Sequence, residues 1–177
     1  MSDTRGSSLE TEERLVAELE RVGVRYLSRQ TDLQARRVRA PSRLLADLVQ
    51  QPSSRVRAAS IALLLAHPSY AQHIPAALER LAPNPALTLK FFYTAAVALQ
   101  RQYAGCLQSH IGPGWRWLPD LFSAELGLPP STPDAQLKAL ARHHRQATGV
   151  TLNWEGTYDS AARNLLRRWE MEKKWRS

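Results

Sequence analysis

The chain has a single cysteine, Cys106, among 177 residues, which excludes an intrachain disulfide framework. Long apolar runs are missing too. The run 61–66 is closed by His67 and Pro68 and is far too short to cross a bilayer, so no membrane role is expected. The opening SDTRGSSLETEE is acidic and lacks the basic-then-apolar order of a secretory leader, which points to a cytoplasmic protein. No Gly-rich phosphate loop is present, because Gly112-Pro113-Gly114 has neither the preceding strand nor the lysine such a loop needs. The five histidines (67, 73, 110, 143 and 144) include no i, i+4 pair around a glutamate, and Cys106 has no cysteine partner. No metal site and no cofactor are therefore expected. Alternating strand patterns are absent apart from an extended stretch at 150–152.

What is present is helical periodicity in a chain that is 44% hydrophobic, enough to fold as one domain of ordinary size over 1–177. Residues 1–8 are expected to be disordered. Ser7 and Glu10 have capping-box spacing, and Leu15, Val16, Leu19, Val22 and Tyr26 form a stripe, which predicts a helix from about Leu9 to Leu27. Pro41 starts a second helix that Pro52 ends, and Ser53 or Ser54 caps a third. The centre of the third, 61–66, is apolar all round and should be the most buried stretch. Ser69 opens a further helix through Leu81, and a long one runs from Pro85 to about Leu107 with Leu89, Phe92, Tyr93, Ala96, Val97 and Gln100 in register. An irregular loop at 108–118, a short helix at 119–126 and a Pro-rich connection at 127–133 follow. Thr132, Pro133 and Asp134 then signal a helix that Gly149 stops, and a last helix spans about Tyr158 to Lys174. The fold class is all-α.

Within 42–81, Leu44-Leu45 and Leu48 in one helix, a Pro/Ser turn and Val56-Arg57-Ala58-Ala59 opening the next resemble one HEAT-repeat helical pair. The resemblance covers roughly one repeat and no fixed period echoes it. It implies a compact multi-helix domain containing a HEAT-like pair, or a short irregular α-solenoid. It also implies a scaffold or partner-binding role, with Arg57 paired internally.

Charge is distributed unevenly. The formal net charge is +8, with 20 arginines against 4 lysines. Residues 1–20 carry six acids against Arg5 and Arg14, whereas 25–57 carry eight arginines (25, 29, 36, 37, 39, 43, 55 and 57) against Asp32 and Asp47. Arg36, Arg37, Arg39, Arg43 and Arg55 are candidates for binding an anion or a partner, with Asp47 and the acids of the first helix as internal alternatives. Near the C-terminus Arg163, Arg167 and Lys174 share one helix face, and Trp169 and Trp175 interleave with the cations, a pattern suited to phosphate contact and base stacking. Trp115, Arg116 and Trp117 form a candidate partner-binding knob in the irregular segment. Cys106, late in an apolar helix, is expected to be a packed and unreactive thiol. Glu155 and Asp159 read as helix N-terminal charges rather than a catalytic pair, so no catalytic residue is assigned. These features predict a non-enzymatic helical interaction protein with a protein partner, acting as an accessory subunit or an antitoxin-like neutraliser. The alternative is a nucleic-acid-binding protein using 25–57 and the C-terminal helix.

Overall fold

Proline and short polar caps set most of the helix starts. In the computed structural model, which describes residues 3–27 and 37–177 and side chains from Leu9 onward, Pro41, Pro83 and Pro133 each occupy the first position of a helix. A proline there loses nothing, because its missing N–H would have had no intrahelical partner. Ser53, Thr132 and Asn153 cap three helices by accepting from the N–H of Val56, Ala135 and Gly156. Among the described residues the result is eight α-helices and no strand: α1 (Asp3–Arg21), α2 (Pro41–Val49), α3 (Ser54–Ala66), α4 (Ile74–Leu78), α5 (Pro83–Gln102), α6 (Ala104–Ile111), α7 (Pro133–Thr148) and α8 (Trp154–Arg176). Two 3-10 turns, Pro68–His73 and Gly112–Gly114, complete the path. The fold is all-α.

Several boundaries differ from those the sequence suggested. Helix α1 begins at Asp3 rather than near Leu9, so 3–8 are helical rather than disordered. It stops at Arg21 instead of Leu27, because Gly23 takes φ 89° and the chain turns out of the helix. The expected 85–107 helix starts at Pro83 and breaks at Tyr103, after which α6 extends helix to Ile111 and shortens the irregular loop. Residues 119–126 form no helix: 119–121 are irregular, and the turn that follows the bend at Phe122 ends in a left-handed Gly127 (φ 67°).

Helix α5 is the centre of the molecule. It packs against α2, α3, α6, α7 and α8, and each residue from 91 to 100 is buried. Residues Ile61 to Leu65 of α3 are fully buried as expected, but the α5 run is longer, so 61–66 is not uniquely the most buried stretch. Helices α2 and α3 pack on each other around the turn at Gln50 to Ser53. Arg57 closes that turn by donating Nη1 to the carbonyls of Gln51 and Pro52, each at 2.7 Å. His67 ends α3 as its C-cap and meets the Val22 carbonyl through Nε2 at 2.5 Å, tying α3 to the end of α1.

Arg39 joins the first two helices. Its Nε and Nη2 donate to the Glu18 carboxylate at 3.0 and 2.7 Å, its backbone N–H to the same carboxylate at 2.9 Å, and its Nη1 to Asp47. Glu18 is only 6% exposed, so the ion is accommodated because its oxygens are taken up by charge-assisted donors.

An aromatic stack holds α5, α7 and the start of α8 together. His144 of α7 is fully buried between Phe91 (centroids 4.3 Å apart, planes 7° apart) and Trp154 (3.6 Å, 15°), with its Nδ1 2.6 Å from the Tyr158 hydroxyl. Its Nε2 has no partner, so a proton added to this ring would be a buried charge without compensation. Burial, helped by the positive field of Arg57, pushes the His144 pKa down to about 3.

This core generates two tests. Leu64→Ala should cost about 2–5 kcal/mol in chemical denaturation, and a loss under about 0.5 kcal/mol would place α3 at the surface. Because the folded pKa of His144 lies below its unfolded value, its contribution is complete above about pH 6.5 and is lost as pH falls toward 3. The unfolding free energy of the wild type should therefore drop between pH 6 and 5 more steeply than that of His144→Phe. The excess slope should approach about 1.4 kcal/mol per pH unit, and parallel profiles would contradict the assignment.

Candidate partner-binding site

The irregular segment after α6 is held by one side chain from the middle of the core. Gln100 is fully buried at the end of the apolar run of α5. Its amide Nε2 donates to the Arg116 carbonyl at 2.9 Å, and its Oε1 accepts from the Leu118 N–H at 2.8 Å. Both ends of the amide are thereby satisfied, and the backbone on either side of Trp117 is fixed as it would be by a strand neighbour. Close by, the Tyr93 hydroxyl donates to the Pro119 carbonyl at 2.8 Å. Phe122 packs edge-on to Tyr93 with centroids 5.5 Å apart, and Leu118 and Phe122 are buried.

Anchoring Leu118 and Phe122 inward leaves side chains before and between them facing outward. Trp117 is 58% exposed and Leu121 43% exposed, and Arg116 also faces solvent. Trp115 is half-buried and meets Trp117 edge-on at 5.2 Å, bracing the indole that projects. Trp117, Leu121, Arg116 and Pro119 form one wall of an open groove of about 360 Å³. Pro68, Ala71 and Pro75, from the 3-10 turn and the start of α4, form the other. Among the described residues no carboxylate lines it.

The candidate cations fall into two groups. Arg39 is consumed by Glu18 and Asp47, Arg43 lies 3.7 Å from Asp47, and Arg25 pairs with Glu172 at 3.2 Å. Of the acids at 10–20, Glu18 serves Arg39 as an internal counter-charge, whereas Glu10 pairs with Arg14. Arg55 makes no ion pair with Asp47 and instead donates Nη2 to the Tyr26 carbonyl at 3.2 Å. Arg37 is exposed, while Arg29 and Arg36 lie outside the described residues. On α8, Arg163 pairs with Asp159, whereas Arg167 and Lys174 are exposed on the outer face and Trp175 is 72% exposed. Asp159 also accepts from the Tyr103 hydroxyl at 2.7 Å, so it is bound up in joining α8 to the α5–α6 break.

Cys106 is exposed, contrary to expectation. The break at Tyr103 makes α6 a separate short helix that buries Leu107, with Ile111 packed partly against the core, and leaves the Cys106 thiol outward. Among the described residues no group of three or more His, Cys, Asp or Glu side chains comes together to hold a metal ion, and no helix is long and apolar enough to cross a membrane.

Sequence reasoning singled out Trp115, Arg116 and Trp117 but not the groove or its anchors. The available signal was Gln100, an amide on an inward-facing stripe of α5 that had to find backbone partners there. Leu121 and the prolines at 68 and 75 gave none, since they join the site only through tertiary packing. Comparison with known proteins gives no match: no protein family, no curated protein and no solved structure matches this chain.

Gln100→Leu removes both anchors and leaves the Arg116 carbonyl and the Leu118 N–H unpaired. It should cost about 2–4 kcal/mol of stability and speed hydrogen exchange at the Leu118 amide. Unchanged exchange at Leu118 would mean that the loop is held by something else.

Proposed function

We propose that this is a non-enzymatic helical interaction protein that docks on a protein partner through the Trp117 groove. The observation that carries the reading is an exposed Trp-Arg pair on a loop fixed from beneath by a buried glutamine. Tryptophan and arginine are among the side chains most enriched at positions that dominate binding energy. Rigid presentation matters because ordering a mobile loop would cost free energy on association. The acid-free wall and the projecting Arg116 suit a partner that offers an apolar side chain beside a carboxylate. A chain of this size with a shallow groove fits an accessory subunit or an antitoxin-like neutraliser. A single cysteine is compatible with work in the cytoplasm.

The test compares partners recovered from the native host after nuclease treatment, using wild type, Trp117→Ala and a control at an exposed apolar residue outside the groove lining, Val150→Ser. Trp117→Ala should release a stoichiometric protein partner and weaken the reconstituted complex by about 2 kcal/mol or more. Its own unfolding free energy should stay within about 0.5 kcal/mol of wild type. Retention of the same partners by a Trp117→Ala, Leu121→Ser double variant would remove the groove from consideration.

A further inference from the structure

Arg167 and Lys174 on α8, and Arg55 beside its first half, are exposed cations with no ion-pair partner among the described residues. There, between the start of α3 and α8, an open cleft of about 420 Å³ is lined by Tyr26, Arg55, Thr157, Ser160 and Asn164, with Ser54, Asn153 and small residues completing it. Among the described residues it contains hydroxyls, amides and one guanidinium, and no carboxylate. Arg55 is exposed, and among the described residues it forms no ion pair. Glu12 and Glu13 line the adjoining groove on its other side but make no salt bridge with it. The described lining presents neutral donors and one guanidinium to an anion, while the flanking carboxylates, Glu12 and Glu13 on one side and Glu155 and Asp159 on another, line the adjoining grooves rather than the cleft.

The cleft continues along one flank of α8. Asn164, Arg168, Met171 and Trp175 follow at i, i+4, i+7 and i+11, which keeps them on one side of the helix. The distance from Asn164 to Trp175 along the axis is roughly 16 Å at 1.5 Å per residue. Beside this flank run Arg163, Arg167 and Lys174, and over 163–176 the cations outnumber the acids, which are Glu170 and Glu172 alone. Glu172 is already engaged by Arg25 and Arg168. Arg167 and Lys174 are exposed and have no ion-pair partner among the described residues. At the far end the Arg168 guanidinium lies 5.9 Å from the Trp175 ring centroid, while the indole remains 72% exposed.

We infer that the Arg55 cleft and the α8 flank ending at Trp175 form a binding track for single-stranded nucleic acid. Phosphates fit the acid-free cleft and the Arg167–Lys174 ridge, and a base stacks on the open part of the Trp175 indole. A single strand suits this surface better than a duplex does, because a stacking platform is of use only to bases that are not already enclosed by pairing. None of the lining residues belongs to the Trp117 groove, so the two sites fail or stand independently.

The experiment measures fluorescence anisotropy of a labelled mixed-sequence strand of about twelve nucleotides, within the usual site size, against a duplex of equal length across a salt series. The single strand should bind more tightly than the duplex. Trp175→Ala should weaken it by about 5- to 150-fold, the range set by one base–aromatic stack. Arg167→Ala, at an exposed position without a partner, should lower the slope of log K against log salt by about 0.7, the value for one phosphate no longer neutralised. Arg55→Ala should do likewise, and Trp117→Ala should leave strand binding unchanged. The inference is overturned if no saturable binding occurs up to about 100 μM strand. It is equally overturned if the duplex is preferred or if Trp175→Ala binds as wild type does. Association with anionic vesicles without strand binding would assign the ridge to a lipid surface and likewise overturn it.

Discussion

Helix α5 is enclosed on every side, and that enclosure is the constraint from which the remaining arrangement descends. A helix whose residues from 91 to 100 are all buried leaves no face for water, so each polar group it carries must be satisfied by another element or by the helix itself. Thr94 returns its hydroxyl to the Lys90 carbonyl within the helix. Gln100 cannot do the same at both ends of its amide, and it therefore takes hold of the backbone at Arg116 and Leu118. Tyr93 likewise reaches outward to Pro119. The order of the exposed loop is thus a by-product of satisfying the buried helix, and Trp117 projects because its two backbone neighbours are bound inward.

The arginine-rich character of the chain divides between structure and surface. Arg39 serves as the joint between α1 and α2, and Arg57 closes the α2–α3 turn with two carbonyls, so neither guanidinium is offered to a ligand. Arg25 reaches across 147 positions of sequence to Glu172 and ties the end of α1 to α8. These pairings consume much of the cluster that looked like a basic patch. Among the cations that remain exposed, Arg167 and Lys174 lie together along the outer face of α8.

A second consequence of dense packing is the His144 stack. Its ring is buried among Phe91, Trp154 and Tyr158 and is more useful to the core as a neutral aromatic than as an acid or base. Both buried histidine and buried glutamine are polar residues that the core accepted because packing and hydrogen bonding could be met together. They differ in outcome. Gln100 extends order to the surface, whereas His144 makes the core sensitive to acid.

By itself the sequence determined the helical class, the starts of α2, α3 and α7 and the character of the inward faces. Prolines at 41 and 133, Ser53, Thr132 and Gly149 are local signals whose effect depends on φ, a missing N–H or a nearby hydroxyl, and these act within a few residues. It also marked the Trp115–Arg116–Trp117 segment as unlike its surroundings. Only the tertiary structure decided which arginines are spent, that Cys106 faces outward, and that α5 and α6 are two helices. It alone brought Pro68 and Pro75 opposite Trp117 and set Arg55 beside the flank of α8. Each of these depends on which distant side chains converge, and periodicity along one helix shows which face is buried but not what buries it.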